Sequence, residues 1–315
     1  MKSTTNPALE RDALYSKSRA YISRGFRAQA AKDTDEYQLW ASLALELLGK
    51  AALAKIHPAL VADPLHFQSL FAACGRQISP DIRTITAKTL FERLSHLEKA
   101  FDSRHQKFCE QMAIRRNAEL HSGESPFSGM SPEAWEREFW GAVEVVLKIQ
   151  DESLESWLGT EDSKMPAEIL EKAEEAMEWA LKHRISRCKE EFEKKYQDPK
   201  KRAHVVEDSK QFRYWEWPEH RQFMGNGIEK HLCPACDTTG MMAGTLWQEE
   251  VSADQDPEDP MTELIELTYV TEEFVCPWCG LHLYGTNETK ACGFPEEFMK
   301  YDAREREFGE EYGND

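Results

Sequence analysis

The sequence predicts a mainly α-helical protein that ends in a small β module pinned by four cysteines. Three observations carry this. Apolar residues recur at steps of three and four over most of the first 200 positions, the period of a helix. Short β-rich runs, Leu264–Val270, Phe274–Val275 and Leu281–Tyr284, are confined to the C-terminal third. The first two of those runs lie between two Cys-Pro-x-Cys pairs, Cys233/Cys236 and Cys276/Cys279, and the third follows the second pair. The chain has 315 residues, enough for two domains and a sizeable core.

The helices follow in order. The first is expected from Pro7 to about Ala31. Asp33 or Thr34 caps the second, where Leu39, Trp40, Leu43, Leu47, Ala51 and Ala54 form a stripe broad enough for the centre of a bundle. Pro58 and Asp63-Pro64 punctuate its end. A short helix is expected over His66–Cys74, and one long helix from about Thr84 to His121, stopped by Ser122-Gly123. Ser131-Pro132 opens another, reaching about Gln150. Pro166 opens a long helix to about Gln197, striped by Ile169, Ala173, Met177, Leu181, Ile185, Cys188 and Phe192. It suits a connecting arm, a dimer element or a helix packed on the bundle. These boundaries divide the chain into a helical bundle at 1–160, a long helix and linker at 161–230, a cysteine-held β module at 231–290 and an acidic tail at 291–315. The linker is rich in aromatics (Phe212, Tyr214, Trp215, Trp217, Phe223), which read as a small satellite core or as a base-stacking cluster.

The net charge of −18 is unevenly placed. Residues 1–150 carry +2, residues 151–230 carry −4, and residues 231–315 carry −16. A polyanion is repelled by the last segment and meets less resistance at the first. No apolar run reaches the length of a membrane span, and Met1-Lys-Ser-Thr-Thr-Asn-Pro lacks the apolar stretch of a signal peptide. Cys74, Cys109, Cys188 and Cys292 are scattered, as free thiols are in a reducing compartment. The expected location is the cytoplasm, with no membrane partner.

Each Cys-x-x-Cys pair makes a tight knuckle whose two sulfurs face one point, and two knuckles supply the four thiolates of a tetrahedral zinc ion. Pro234 and Pro277 stiffen the turns, and Gly280 permits the left-handed conformation after the second. The pattern resembles the zinc-ribbon family over residues 231–285. Between the knuckles lie 39 residues, more than the usual 15–20 or so. The excess is expected to be the acidic insert Glu249–Pro260, a loop at a hairpin tip. Four cysteines leave no open coordination position, so Zn2+ here is structural, and His231 and His282 are not needed as ligands. The −16 charge favours a structural or protein-docking module over a nucleic-acid-binding one.

The end of the 84–121 helix reads Arg115-Arg116-Asn117-Ala-Glu-Leu-His121. An Arg, a polar residue, three others and a His, late in an all-α bundle, resembles the HEPN superfamily of ribonucleases. The resemblance covers residues 1–160. It implies a short helical bundle that forms a homodimer, with two motifs meeting in one composite cleft that cuts RNA without metal. It also implies a toxin or an effector of antiviral defence, with a protein partner or antitoxin at the acidic ribbon. The residues suit that chemistry independently. His121 is an imidazole that can move a proton to or from the RNA 2′-hydroxyl. Arg116 presents a planar fork to phosphate oxygens. Asn117 lies one turn before His121 on the same face, placed to orient the imidazole. Arg115 is a reserve phosphate contact. Arg116 and His121, five apart, point about 140° away from each other, a physical reason to expect a second copy. The rival readings are a non-catalytic dimeric scaffold, whose motif is a surface arginine and a cation capping the helix dipole, and an RNA-binding regulator.

Overall fold

The structure, a computed structural model, describes residues 6–211, 213, 215, 227–255 and 259–306. They divide into two compact units, Met1–Glu175 and Ala176–Asp315.

The first unit is helical. Helices α1 (Arg11–Ala30) and α2 (Thr34–Ile56) pack as a hairpin across a turn in which Lys32 has a φ of 62°. Asp33 caps α2 by accepting from the Glu36 N–H. Asp33→Ala is expected to lower the stability of this unit by about 1 kcal/mol, seen as a lower urea midpoint. The short α3 (Phe67–Ala73) follows. The single helix expected from 84 to 121 is two helices, α4 (Ala87–Ser95) and α5 (Ser103–His121). The break is chemical: the Asp102 carboxylate accepts from the N–H groups of Arg104 and His105, starting a new helix where the apolar period runs on unbroken. Phe101, in that break, is buried. Ser131-Pro132 opens one 3₁₀ turn before α6 (Glu136–Ile149), and α7 (Leu154–Leu158) follows.

Helix α2 is central. Leu45, Leu48 and Ala52 are fully or almost fully buried, in one core with Leu90, Trp140 and Val146. Two polar pairs lie inside this core: Tyr37 donates to Glu136 at 2.9 Å and the Trp157 indole to Ser18 at 2.9 Å. Burial, opposed only in part by the Tyr37 hydroxyl, holds the Glu136 carboxyl above its usual range.

Helix α8 (Lys164–Lys195) begins in the first unit and ends in the second. In the second unit its stripe of Leu181, Cys188 and Phe192 shares a core with the cysteine knuckles. Part of the region read as linker is helical, α9 (Pro199–Ser209). Trp215 is exposed, while Phe212, Tyr214, Trp217 and Phe223 lie outside the described residues.

The second unit holds an antiparallel sheet of β1 (Gly227–Leu232), β2 (Thr239–Val251), β3 (Thr262–Val275), β4 (His282–Tyr284) and β5 (Glu297–Glu305), with α10 (Thr286–Ala291) before the last strand. Strands β1 to β4 pair in chain order, and β5 returns to β3. The wide spacing between the knuckles is therefore mostly strand. Glu249–Val251 pair with Ile265–Leu267 instead of forming a loop, and residues 256–258 of the insert lie outside the described residues. The stretch read as an acidic tail supplies β5, its acidic side chains solvated while Phe298 stays buried. Gly244 sits at a bulge where a Cβ would fall 2.3 Å from the Val270 carbonyl oxygen, so only glycine fits. No described helix is long and apolar enough to cross a membrane.

Candidate functional site

The two knuckles are copies of one local design. In each, the N–H of the first cysteine bonds the carbonyl five residues on: Cys233 to Thr238 and Cys276 to Leu281, both at 2.8 Å. In each, the residue after the second cysteine turns left-handed, Asp237 at φ 60° and Gly280 at φ 75°. These turns donate back to the first cysteine's carbonyl, Asp237 to Cys233 and Gly280 to Cys276. Strands β2 and β3, paired through Met241 and Val275, hold the knuckles side by side.

The result brings together all four sequence-predicted cysteines. They are buried, and their sulfurs lie within 4.8 Å of one another. Cys233 and Cys279 are 3.6 Å apart, as are Cys236 and Cys276. Tetrahedral bonds of 2.3 Å space sulfurs by about 3.8 Å, so the set fits one metal ion. Neither His231, stacked on Phe294, nor His282, bonded to Glu273, belongs to the cluster.

Thr238 was not legible as a site residue. Its fully buried hydroxyl lies 3.0 Å from the Cys236 sulfur and 3.2 Å from Cys276. The available signal was a hydroxyl two residues beyond the first knuckle, where the second has Leu281.

In the first unit the motif helix α5 ends at His121, where Ser122 turns to extended backbone and its N–H bonds Ala118. The helix sends the motif residues in two directions. Asn117 and His121 are exposed, and His121 makes no hydrogen bond or ion pair with a described residue. Arg116 is only 9% exposed. Its Nη1 pairs with Glu46 of α2, and its Nε donates to Asn117 Oδ1 at 3.0 Å. Its Nη2 has no acceptor among the described residues. Arg115 is half-buried with Nη1 against the Met130 sulfur at 3.5 Å, a weak contact.

Glu46 and Lys50 are the partners that sequence reading missed. Lys50 donates to Glu46 at 2.8 Å and to Thr84 at 3.0 Å. Burial alone would raise the Glu46 pKa, but Lys50 and Arg116 outweigh it and the net shift is downward. The signal was present: two charges four apart in the otherwise apolar run Ala44-Leu45-Glu46-Leu47-Leu48-Gly49-Lys50-Ala51.

Compared with known proteins, the chain matches no family model, no curated protein and no solved structure.

Proposed function

We propose that the first unit is a metal-independent endoribonuclease of HEPN type and that the second carries one structural zinc ion. The observation that carries the catalytic reading is the arrangement at the end of α5: Asn117 and His121 share an open face, and Arg116 is braced beside them with Nη2 unspent. His121 removes the proton of the RNA 2′-hydroxyl or supplies one to the leaving 5′-oxygen, and Asn117 orients its imidazole. Nη2 of Arg116 stabilises charge on the phosphorane, its guanidinium already aligned by Glu46 and Asn117. Because Arg116 and His121 are five apart and do not face each other within one chain, each phosphate takes Arg116 from one protomer and His121 from a second, in a homodimer.

Complementation tests this. Arg116→Ala and His121→Ala proteins, each inactive on labelled RNA, should regain activity when mixed, since a heterodimer contains one intact composite site. Mixtures that stay inactive while light scattering shows subunit exchange would refute the shared site.

The Glu46–Arg116 pair also favours a second reading, in which the motif arginine ties α5 to α2 and the bundle is a scaffold. Chemistry separates the two, because only an enzyme responds to loss of the exposed His121.

In the second unit, four thiolates close the coordination shell of zinc and leave no position for substrate. Thr238 donates to a ligand sulfur from outside the shell. Thr238→Val is expected to weaken zinc retention roughly 10- to 100-fold against a chromogenic chelator, the range for lost outer-shell partners. Biologically, the resemblance points to a toxin or antiviral-defence effector acting in the cytoplasm, with the acidic sheet available to a protein partner.

A further inference from the structure

The face of α8 from Trp179 to Lys189 departs from the rest of this acidic chain. Across those positions stand Lys182, His183, Arg184, Arg187 and Lys189 and no carboxylate, in a protein with 57 Asp+Glu against 39 Lys+Arg. Trp179 is 66% exposed and packs on His183, their ring centroids 4.3 Å apart. Trp179, His183 and Arg187 are spaced four apart and share one side of the helix. With Ala180 and Arg184 they line an open depression of about 370 Å³.

The cations there play different parts. Arg184 is fixed by Glu288 through two hydrogen bonds, at 2.8 and 2.9 Å, and donates to the His282 carbonyl at 2.7 Å. It is a rigid wall. Among the described residues Lys182 and Arg187 pair with Glu178 at 3.2 Å and Glu191 at 3.9 Å, with all four side chains more than half exposed. Exposed pairs of this kind are worth about 0–1 kcal/mol, so a phosphate displaces the carboxylates at little cost. An apolar partner helix is poorly matched, because the helical neighbours of Trp179 are Glu175, Ala176, Lys182 and His183 rather than large aliphatic residues. An exposed indole with cations one and two turns away instead matches a flat base joined to phosphates.

We infer that the Trp179–Arg187 face of α8 binds single-stranded RNA, stacking a base on Trp179 and holding a phosphate on Arg187. Trp179 and Arg187 are about 12 Å apart along the axis, a span of a few nucleotides. This site shares RNA with the reading above but not its chemistry, and it stands if the cleavage does not.

The test is fluorescence anisotropy of a labelled single-stranded RNA with the zinc-loaded full chain carrying His121→Ala, so that binding is read without cleavage. In that background Trp179→Ala should weaken binding about 5- to 150-fold, the loss of one base–aromatic stack, while Trp179→Phe keeps most of it. Arg187→Gln should reduce the slope of log affinity against log salt by about 0.7, one phosphate contact. Each altered side chain is exposed, so an unchanged thermal melt is expected and shows that the fold is intact. Absence of RNA binding by the parent, or equal affinity with and without Trp179, overturns the proposal. So does unchanged RNA affinity together with a shift from dimer to monomer on sedimentation of Trp179→Ala, which would give this face to a second copy of the chain. Trp179-dependent binding without His121-dependent cleavage in the unaltered chain would overturn the catalytic reading and leave this one standing.

Discussion

With the proposed zinc bound at the four cysteines, Cys276→Ser should release the metal and unfold residues 227–306 while the helical unit keeps its structure. The magnitudes decide this. Structural zinc in small modules contributes on the order of 10–16 kcal/mol at neutral pH, as much as or more than the roughly 5–15 kcal/mol that separates a folded domain from its unfolded chain. The apolar core that remains is modest: Met242, Phe274, Leu281, Leu283, Phe294 and Phe298 of the module, with Leu181, Cys188 and Phe192 of α8, packed round the cysteines themselves. Four ligands lie on two knuckles, so loss of any one opens the shell. Hydrogen exchange read by mass spectrometry, with zinc measured on the same sample, is the check. Expected are loss of protection across β1 to β5, zinc well below one per chain, and unchanged protection in α2 and α6. A protected sheet in zinc-free protein would show that the cysteines are ordinary core thiols.

Glu46→Ala should destabilise the first unit by about 3–5 kcal/mol, because it leaves Lys50 and Arg116 buried without their shared carboxylate. That is a large share of a domain's stability, and the variant is expected to melt many degrees lower. Glu46→Gln keeps the shape and removes the charge, which gives a pH signature. The carboxyl of Glu46 is depressed in the folded state. Its contribution is therefore fully present above the usual glutamate range and is lost as pH falls through the depressed value. Wild type should exceed Glu46→Gln in stability at neutral pH, and the gap should close in acid. A gap that is constant with pH would mean that packing, not charge, fixes this site.

The metal cluster was the most legible part of the molecule, for a local reason. A Cys-x-x-Cys knuckle is defined within four residues, and two of them specify four ligands without knowledge of the path between. That path was misread. Glu249–Val251 was taken as loop because its charge hides a strand that pairs along one edge and faces solvent. The acidic stretch containing β5 was hidden in the same way, and its pairing with β3 is non-local. Helix periodicity located α1, α2, α6 and α8, but it does not register a break that keeps phase. Leu97 and Phe101 continue the stripe across the gap between α4 and α5, and only the capping of Asp102 marks it. In the motif, spacing alone separated Arg116 from His121, and the two do differ in burial. What spacing cannot supply is the partner. Glu46 lies 70 positions earlier and meets Arg116 only because α2 and α5 pack against each other.

The central claim is that His121 makes this protein a ribonuclease whose zinc takes no part in the chemistry. It is tested most directly by incubating wild type and His121→Ala with end-labelled single-stranded RNA, with EDTA present to exclude free divalent ions. Wild type is expected to cleave, leaving a 2′,3′-cyclic phosphate on the upstream fragment, and His121→Ala to lose at least about 100-fold, as for removal of a general acid or base. Equal cleavage by the two proteins, or none by either across a broad pool of RNAs, would contradict it and leave the bundle as a scaffold.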